Sequence, residues 1–449
     1  MRYDVVIIGS GVGGLSIAAL LAKRGLKVVV LERQSVIGGR ATSFNYQGHI
    51  LDLGPHYFGA IDAGGLLTLL DEVGAKVDFV DTQRGALHKD GKYTSLHLTK
   101  LGGLLKRREL LDALPIISIL RSASEEMIDE LDEISVEDFV TARTDSETIF
   151  EILRCTTLLS HTMDDLSEAS AGELARHMRF EAVSKRPMTY PKEGGCRAVS
   201  DALFDTIKRL GGDVLRGEEV VDGIIKNNKI YGVISRSFLP KRDKEIYAPI
   251  VISNIPIQDT FKAIPADYFP KSYVNRILSL KGQITCGVGV IAGLSSPLFS
   301  YTGPIMIHKP DDHIRYLVCP SNITKSVSPV GKSYLFYGNW VPPEFLKDSK
   351  KLEEANMILS AELLEMFPGA KDKIEWMTMG TMDRVDSLAK KPGLTGKCKP
   401  DVESPIEGLF FVGDSVSGGG SGIVSIIDSV RLCENRVISK IRDSGIKAF

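Results

Sequence analysis

The chain has 449 residues, enough for two domains that each bury a core. Its 55 basic and 57 acidic residues give a formal net charge of -2, which excludes the basic balance of a nucleic-acid-binding protein. Its six cysteines include no C-x-x-C pair, a spacing typical of reduced cytoplasmic thiols rather than of a disulfide framework or a zinc site.

Residues 3–33, YDVVIIGSGVGGLSIAALLAKRGLKVVVLER, predict a strand, a helix and a second strand. The first strand starts so early that no signal peptide is expected. Gly9, Gly11 and Gly14 have the G-x-G-x-x-G spacing that lets backbone approach a pyrophosphate at a helix N-terminus. Glu32 ends the second strand, where a carboxylate accepts hydrogen bonds from an adenosine ribose and repels a 2′-phosphate. The unit predicts a dinucleotide site, with NADP as its least suitable occupant.

A Gly-Gly turn is predicted at Gly38 and Gly39, shortly after this unit. Such a turn lets backbone approach a ligand, and Arg40 would then form a charge-assisted pair with a phosphate. The alternative is a hairpin turn whose arginine faces solvent.

Residues 98–122 mix Leu and Ile with five basic side chains. One interpretation is an amphipathic surface that dips into a bilayer, giving the protein a peripheral membrane contact. The alternative is a helical hairpin that covers a domain and is broken at Pro115. The longest stretch without charged side chains, 282–308, contains five glycines and two prolines, so it predicts strands and turns rather than a membrane span.

The middle of the chain predicts a helix over 197–210, then a hairpin whose strands, 220–225 and 230–234, are joined by KNNK. VISNIP, starting at residue 251, predicts another buried strand. The glycine-rich stretch 287–293 lacks the helix that a second dinucleotide fingerprint requires. A second tightly held NAD(P)H is therefore not expected, and the electron acceptor is oxygen, a quinone or another protein.

Residues 408–437 predict a strand, a Gly-rich loop and a helix that begins near Ile423. Gly413 and Asp414 follow the strand. As in the opening unit, the N–H groups of a helix start and a carboxylate would then converge on one ligand. Two such places indicate a long cofactor. A flavin fits, because its reduction places negative charge on the N1/C2 edge, where a helix N-terminus is stabilising. Asp414 would then bind a ribityl hydroxyl.

These motifs resemble the flavin monoamine oxidase and phytoene desaturase superfamily of FAD-dependent oxidoreductases, closest to its phytoene dehydrogenase-related branch. The resemblance covers nearly the whole chain. Besides the opening unit, the stretches that carry it are GGRATS (38–43), DLGPH (52–56), YPKEGGCRAVSDAL (190–203), GGDVLRGEEVVDGIIKNNKIYGV (211–233), VISN (251–254) and FFVGD (410–414).

The resemblance implies an α/β fold with a Rossmann-like FAD-binding domain, which combines a parallel sheet with a β-meander, and a second α+β substrate domain of mixed sheet and helices. The FAD-binding domain is expected to be discontinuous, over residues 1–85, 190–260 and 395–449. Residues 86–189 and 261–394 would form the substrate, or cap, domain over the flavin.

By the same resemblance, the expected cofactor-binding residues are Gly9, Ser10, Gly11, Gly13, Gly14, Glu32, Arg33, Gly39, Arg40, Val221, Gly413, Asp414, Gly422, Ile423 and Val424. The backbone of Val221 would meet the adenine, although an ordinary core valine is the alternative. The monoamine oxidases attach FAD through a cysteine before the last helix. Because SVSGGGSG contains no cysteine, FAD is expected to be noncovalent.

His56 is the best candidate for a general base, since the resemblance places the GPH motif beside the flavin ring. A histidine that fixes its loop through a backbone hydrogen bond is the alternative. Tyr57 and Phe58 would line the substrate pocket or pack in the core. The other histidines considered show no metal spacing and are pocket residues at most: His161, His177, His308 and His313.

The expected function is an FAD-dependent dehydrogenase of the desaturase type, which removes hydride from a C–C, less readily a C–N, bond of a largely apolar, isoprenoid-like molecule. Alternatives are an amine or porphyrinogen oxidase that uses oxygen, a flavin-dependent isomerase or saturase, and a non-enzymatic prenyl-lipid escort of the GDP dissociation inhibitor type. Residues 392–408 lack an aromatic side chain, which weakens the amine alternative.

Overall fold

The computed structural model describes residues 1–89, 91–309 and 313–443. The strands are β1 (Val5–Ile8), β2 (Val28–Glu32), β3 (Ser43–Tyr46), β4 (His49–Asp52), β5 (Phe58–Gly59), β6 (Phe79–Asp81), β7 (Ala86–Lys89), β8 (Lys92–Ser95), β9 (Met188–Pro191), β10 (Asp213–Arg216), β11 (Glu218–Lys226), β12 (Lys229–Phe238), β13 (Lys241–Tyr247), β14 (Ile250–Ser253), β15 (Cys286–Leu294), β16 (Ile305–His308), β17 (Ile314–Val318), β18 (Ser333–Val341), β19 (Ile374–Met382) and β20 (Leu409–Phe411). The helices are α1 (Val12–Lys23), α2 (Leu66–Val73), α3 (Arg107–Ser122), α4 (Glu125–Leu131), α5 (Val136–Thr141), α6 (Glu147–His161), α7 (Ala171–Val183), α8 (Arg197–Arg209), α9 (Thr260–Ala263), α10 (Lys271–Ser279), α11 (Pro320–Ile323), α12 (Ser349–Met366) and α13 (Ile423–Asp443).

A five-stranded parallel sheet in the order β10-β2-β1-β14-β20 forms the centre of the Rossmann-like part. Every residue of β1, β2, β14 and β20 is buried, as expected for short apolar runs covered on both faces. Helix α1 packs between α8 and α13. The predicted parallel sheet is confirmed, and its strands come from the beginning, middle and end of the chain.

A three-stranded antiparallel meander, β11-β12-β13, follows the strand β10 in sequence. Its first hairpin turns at Asn227 and Asn228, which both have positive φ, as the KNNK stretch predicts. The pairing of β11 with β12 shifts register between Val220 and Asp222 and again between Gly223 and Ile225. The sequence gives no sign of these irregularities.

The second sheet is mixed and has the order β19-β15-β18-β17-β16-β7-β8, with β16 and β7 as its parallel pair. Helix α12 covers β15, and helices α3 to α7 share a separate apolar core. The glycine-rich stretch 287–293 lies inside β15, in agreement with the prediction that it is not a dinucleotide fingerprint. The predicted second, mixed-sheet part is thereby confirmed.

The domain boundaries stay a prediction. The parallel sheet and the meander draw on residues 5–32, 213–253 and 409–411, whereas the seven-stranded sheet draws on 86–95 and 286–382. Residues 444–449 of the third predicted segment, and residues 90 and 310–312 of the predicted cap, lie outside the described residues.

The prediction that a helical hairpin is broken at Pro115 is wrong. A 3₁₀ turn, Leu98–Gly103, is followed by one uninterrupted helix, α3, that contains the proline. A proline removes the hydrogen bond to the carbonyl four residues earlier, that of Leu111. The helix nevertheless continues, with Leu111 66% exposed on its solvent side. Among the helices of the described residues, none combines the length and the apolar composition of a transmembrane span.

Candidate functional site

One large cavity is lined by residues from both ends of the sequence and from the mixed sheet. Its volume is about 990 Å³. It lies at the carboxyl ends of β1, β2, β14 and β20, the position where open α/β sheets bind ligands, and extends to β17 and β18. The predicted residues that line it are Gly9, Ser10, Gly11, Gly13, Glu32, Arg33, Gly39, Arg40, His56, Tyr57, Phe58, Gly413, Asp414, Gly422, Ile423 and Val424.

Two predicted residues, Gly14 and Val221, are not among those lining the cavity. A Cβ on Gly14 would lie 2.2 Å from the carbonyl oxygen of Gly9, so this glycine permits close packing of α1 on β1. Val221 is half-buried in β11, at the register irregularity, and its neighbour Val220 lines the cavity instead.

The start of α1 forms a backbone cradle at one end of the cavity. A Cβ on Gly11 would lie 2.6 Å from Nδ2 of Asn254, and one on Gly13 would lie 2.6 Å from its Oδ1. Gly11 is the N-cap residue of α1 and no side chain caps the helix, so its first N–H groups remain for a ligand. These residues fit the pyrophosphate of a dinucleotide.

Glu32 lies at the same end, buried and hydrogen-bonded. One carboxylate oxygen, Oε2, accepts from the backbone N–H of Ser10 at 2.9 Å and from its hydroxyl at 2.6 Å. The other oxygen accepts from the backbone N–H of Gln34 at 2.8 Å. A carboxylate has about four acceptor positions, so Glu32 is held in place and can still accept from a ribose hydroxyl.

Arg40 and Asp414 form an ion pair that joins the two ends of the sequence beside the cavity. The guanidinium donates to the two carboxylate oxygens at 2.9 and 2.7 Å, and to the carbonyl of Val385 at 2.5 Å. Arg40 is therefore held by Asp414 rather than unpaired in solvent, although its side chain is 36% exposed. Burial favours the neutral form of Asp414, but the Arg40 charge and the backbone N–H of Ser387 outweigh it and hold the pKa of the carboxyl well below its usual range.

The Gly-rich loop before α13 is tied down by hydrogen bonds from several sides. The backbone N–H of Gly413 donates to the hydroxyl of Ser429 at 2.9 Å, and that of Gly419 donates to Asp428 at 2.8 Å. The buried Lys399 ammonium donates to the carbonyl of Gly418 at 3.2 Å. Loop and helix start therefore form a second rigid cradle in the cavity wall.

The other end of the cavity is aromatic and apolar. His56 is buried there, with its ring centroid 4.9 Å from that of Phe336 and 5.9 Å from that of Tyr316. Burial lowers the pKa of His56 to about 4, so the ring is neutral at pH 7. Within the described residues the ring has no hydrogen-bond partner, so nothing there supports the alternative of a loop-fixing histidine.

Tyr57 and Phe58 flank His56 in sequence and also line the cavity. The Tyr57 hydroxyl lies 3.5 Å from the carbonyl of Leu159, and burial raises its pKa, as do the nearby charges of Glu181 and Asp386. Phe58 is 3% exposed and its ring also packs in the core. Phe58 therefore belongs both to the cavity lining and to the core, and its contact with a substrate stays a prediction.

Of the other four histidines considered, His177 lines the cavity, with Nδ1 3.3 Å from the hydroxyl of Ser421 in the Gly-rich loop. His161 is hydrogen-bonded to the Ser170 carbonyl at 2.9 Å and is not among the lining residues. No group of three or more metal-ligating side chains occurs within the described residues.

Several cavity residues were not predicted. Asn254 follows the buried strand β14, and a polar side chain at the carboxyl end of a parallel strand is a pattern that could have revealed it. Tyr316, Phe336 and Trp340 come from strands of the mixed sheet and carry no local motif. An ion pair of Asp386 with Lys390 also lies in the cavity wall.

Comparison with known proteins agrees with this geometry. Residues 7–73 match the family model described as NAD(P)-binding Rossmann-like domain. The chloroplastic prolycopene isomerase of Daucus carota is 24% identical in an alignment that covers 98% of this chain and 80% of that protein. The match over residues 7–73 confirms the Rossmann-like part of the expected fold, and the likeness to a prolycopene isomerase extends over nearly the whole chain.

Two further proteins are similar to this chain over a large part of its length. The inactive all-trans-retinol 13,14-reductase of Danio rerio is 26% identical over 63% of this chain, and the chain spans about half of that relative, 53%. The crystal structure of an oxidoreductase from Methanosarcina mazei has a TM-score of 0.80 and 24% identity, covering 98% of this chain and 100% of that one. The chain therefore shares its fold with a solved structure over nearly its full length.

Proposed function

We propose that this protein is an FAD-dependent oxidoreductase that transfers hydride at a C–C bond of a largely apolar, isoprenoid-like substrate, in a desaturase-like reaction. The single observation that carries the proposal is the continuity of the cavity, from the glycine cradle and Glu32 at one end to His56, Tyr316 and Phe336 at the other. A long dinucleotide placed along the cradles would leave the aromatic end for an apolar molecule.

The residues fit FAD in particular because a second cradle exists. Gly422 has a φ of 55°, and a Cβ there would have no heavy atom within 4 Å, so the loop is open toward a ligand. The N-terminus of the long helix α13 lies beside it and would stabilise negative charge on the flavin edge. No cysteine occurs in residues 415–422, which supports noncovalent attachment.

When bound, FAD supplies the acceptor or donor of the hydride. The protein positions the substrate and accepts the proton that the substrate loses. Tyr316 and Phe336 would hold the substrate and exclude water, and the neutral ring of His56 would accept a proton lost from the neighbouring carbon. The electron acceptor is proposed to be oxygen, a quinone or another protein, and the location cytoplasmic.

A flavin-dependent isomerase or saturase is a second candidate function. The names of the relatives favour it, because one is called a prolycopene isomerase and others are called all-trans-retinol 13,14-reductases. The amine oxidase alternative gains little, since no residue of 392–408 lines the cavity. The escort alternative requires no flavin site. The cavity, however, has two backbone cradles and a Glu32 carboxylate fixed by hydrogen bonds, as a dinucleotide site requires.

The first experiment is the visible spectrum of the purified protein, before and after mild denaturation. A flavin band whose chromophore is released as free FAD supports the proposal, and anaerobic bleaching of that band by added isoprenoids then separates desaturation from amine oxidation. Product analysis separates the isomerase and saturase. A folded protein that takes up no added FAD would overturn the proposal in favour of the escort.

A Gly422→Ala variant should lose at least tenfold in FAD affinity while remaining folded. The methyl group has open space on the protein side, so it would enter the proposed flavin position, and the positive φ adds a strain of about 1 kcal/mol. Gly91→Ala is the matched control, since Gly91 has a φ of 72° and equally open surroundings in an exposed turn. FAD titration followed by fluorescence measures the FAD affinity of both variants. Equal FAD affinity in the two variants would contradict the proposed flavin position.

We further propose that α3 contacts a membrane surface. Leu111 is 66% and Leu114 is 59% exposed, and Arg107 and Arg121 are exposed at the two ends of the helix. Apolar side chains between basic ones suit an anionic interface, which would also be the source of an apolar substrate.

Leu111→Asp combined with Leu114→Asp should lower binding to phosphatidylglycerol vesicles at least tenfold, because two side chains of about 1.5–3 kcal/mol each would no longer be buried in lipid. Co-sedimentation with phosphatidylglycerol vesicles measures this binding. Leu239→Asp is the control, as Leu239 is 96% exposed in another part of the chain. Binding that is unchanged in the double variant, or absent in the wild type, would rule out this contact.

A further inference from the structure

A lysine and an aspartate form a buried ion pair in the cavity wall. The Lys390 ammonium donates to Oδ2 of Asp386 at 2.6 Å, and the two side chains are 5% and 8% exposed. Desolvation of two charges offsets most of their attraction, so a pair of apolar residues would stabilise this wall equally well. Stability alone therefore does not explain the pair.

The hydrogen bonds of the pair are unequally satisfied. Oδ2 of Asp386 also accepts from the hydroxyls of Thr162 and Thr285, which fix the carboxylate. An ammonium has three N–H donors, and Asp386 accepts one of them. The described residues supply no further acceptor to Lys390, although buried polar groups are normally hydrogen-bonded. Two donors of Lys390 therefore remain for a molecule in the cavity.

The pair lies where the cofactor end of the cavity meets the apolar end. On one side, the backbone N–H of Ser387 donates to Asp414 at 2.8 Å. On the other side, Thr162 directly follows α6, whose last turns contribute Leu158 and Leu159 to the cavity wall. At this point, the Lys390 ammonium would donate a hydrogen bond to an oxygen atom of an otherwise apolar molecule.

We propose that Lys390 is a specificity-determining residue that donates a hydrogen bond to an oxygen atom of the substrate. The substrate class is then a long apolar chain that carries a hydroxyl, carbonyl or carboxylate group, rather than a pure hydrocarbon. This inference rests on the proposed function, because it assumes an apolar substrate in this cavity. A site built to hydrogen-bond an oxygen rejects the analogue that lacks it.

The test compares two probes, all-trans-retinol and the same polyene without its hydroxyl group, by quenching of tryptophan fluorescence. Trp340 lines the cavity, so the measurement needs neither turnover nor flavin. The wild type should bind retinol roughly 10- to 100-fold more tightly than the hydrocarbon, as expected for a hydrogen bond to a charged group. Lys390→Met should reduce this ratio to near one. Lys391→Met is the control, since that lysine pairs with Glu168 outside the cavity and should keep the wild-type ratio.

Two further variants separate the loss of the hydrogen bond from an effect of misfolding. Lys390→Met combined with Asp386→Asn leaves no unpaired buried charge and should also show a ratio near one, whereas Lys390→Arg should retain a preference for retinol. The inference is overturned if the wild type does not prefer retinol, or if the Lys390→Met and double variants keep the preference. It is also overturned if these variants change only the flavin spectrum and FAD affinity, since the donor would then serve the cofactor. Absence of flavin from the wild type would instead count against the proposed function, and the ratio remains measurable in that case.

Discussion

Replacing Asp414 with Ala should remove FAD from the protein and lower its free energy of unfolding by about 2 kcal/mol. The carboxylate accepts two hydrogen bonds from Arg40 and one from the backbone N–H of Ser387, and it lines the cavity where the ribityl chain is expected. Its loss leaves a cation without its partner. The Arg40 side chain is 36% exposed, so solvent offsets part of the penalty and the expected effect is at the low end of the usual range.

The double variant Arg40→Met with Asp414→Asn separates charge pairing from cofactor binding. Removal of both charges should recover part of the stability lost in the single variants Arg40→Met and Asp414→Asn, so the effects of these two single variants should not add. FAD should still be lost, because neither the phosphate nor the ribityl partner remains. Urea unfolding with and without added FAD measures both quantities. Strict additivity would show that the pair is not coupled in solution.

The same carboxylate gives a pH dependence of stability. The pKa of Asp414 is lower in the folded protein than in the unfolded chain, where it is about 4. Its contribution is therefore fully present above about pH 4 and diminishes as the pH falls below that value. The Asp414→Ala variant should lack this part of the acid sensitivity.

The cofactor end of the cavity could be predicted because its requirements are local. A tight turn, a helix N-terminus and a terminal carboxylate leave fixed spacings in the sequence, and Gly9, Gly11 and Glu32 follow them. The sequence does not show which valine of β11 lines the cavity: the register of the strand shifts between Val220 and Asp222, and a strand pattern does not reveal such a shift.

At the aromatic end of the cavity, His56, Tyr57 and Phe58 were predicted from the resemblance, but the residues from the mixed sheet were not, because tertiary structure brings them there. Phe336 and Lys390 come from segments far apart in the chain, and each looks ordinary where it stands. The continuity of α3 through Pro115 was likewise not visible in the sequence, because the exposure of that part of the helix depends on how α3 packs in the fold.

Replacing His56 with Phe should lower turnover by roughly 10²- to 10⁴-fold without loss of FAD, if its ring accepts the substrate proton. Phenylalanine keeps an aromatic ring against Tyr316 and Phe336 but carries no nitrogen. Stopped-flow bleaching of the flavin by the substrate found in the screen measures the effect. His88→Phe is the matched control, because His88 is half-buried against Tyr93, outside the cavity lining.

The pH profile distinguishes a base from a wall residue. Because burial lowers the pKa of His56 to about 4, the ring is neutral and able to accept a proton down to nearly that pH, so wild-type turnover should stay level from pH 8 to about 5 and fall below it. For stability, a folded pKa below the unfolded value of about 6.5 means that the contribution is complete above pH 6.5 and is lost as the pH falls toward 4. His56→Phe should abolish the acid limb of the rate profile. Wild-type turnover in that variant would show that His56 only fills the wall, and proton acceptance would have to be sought at another group lining the same cavity.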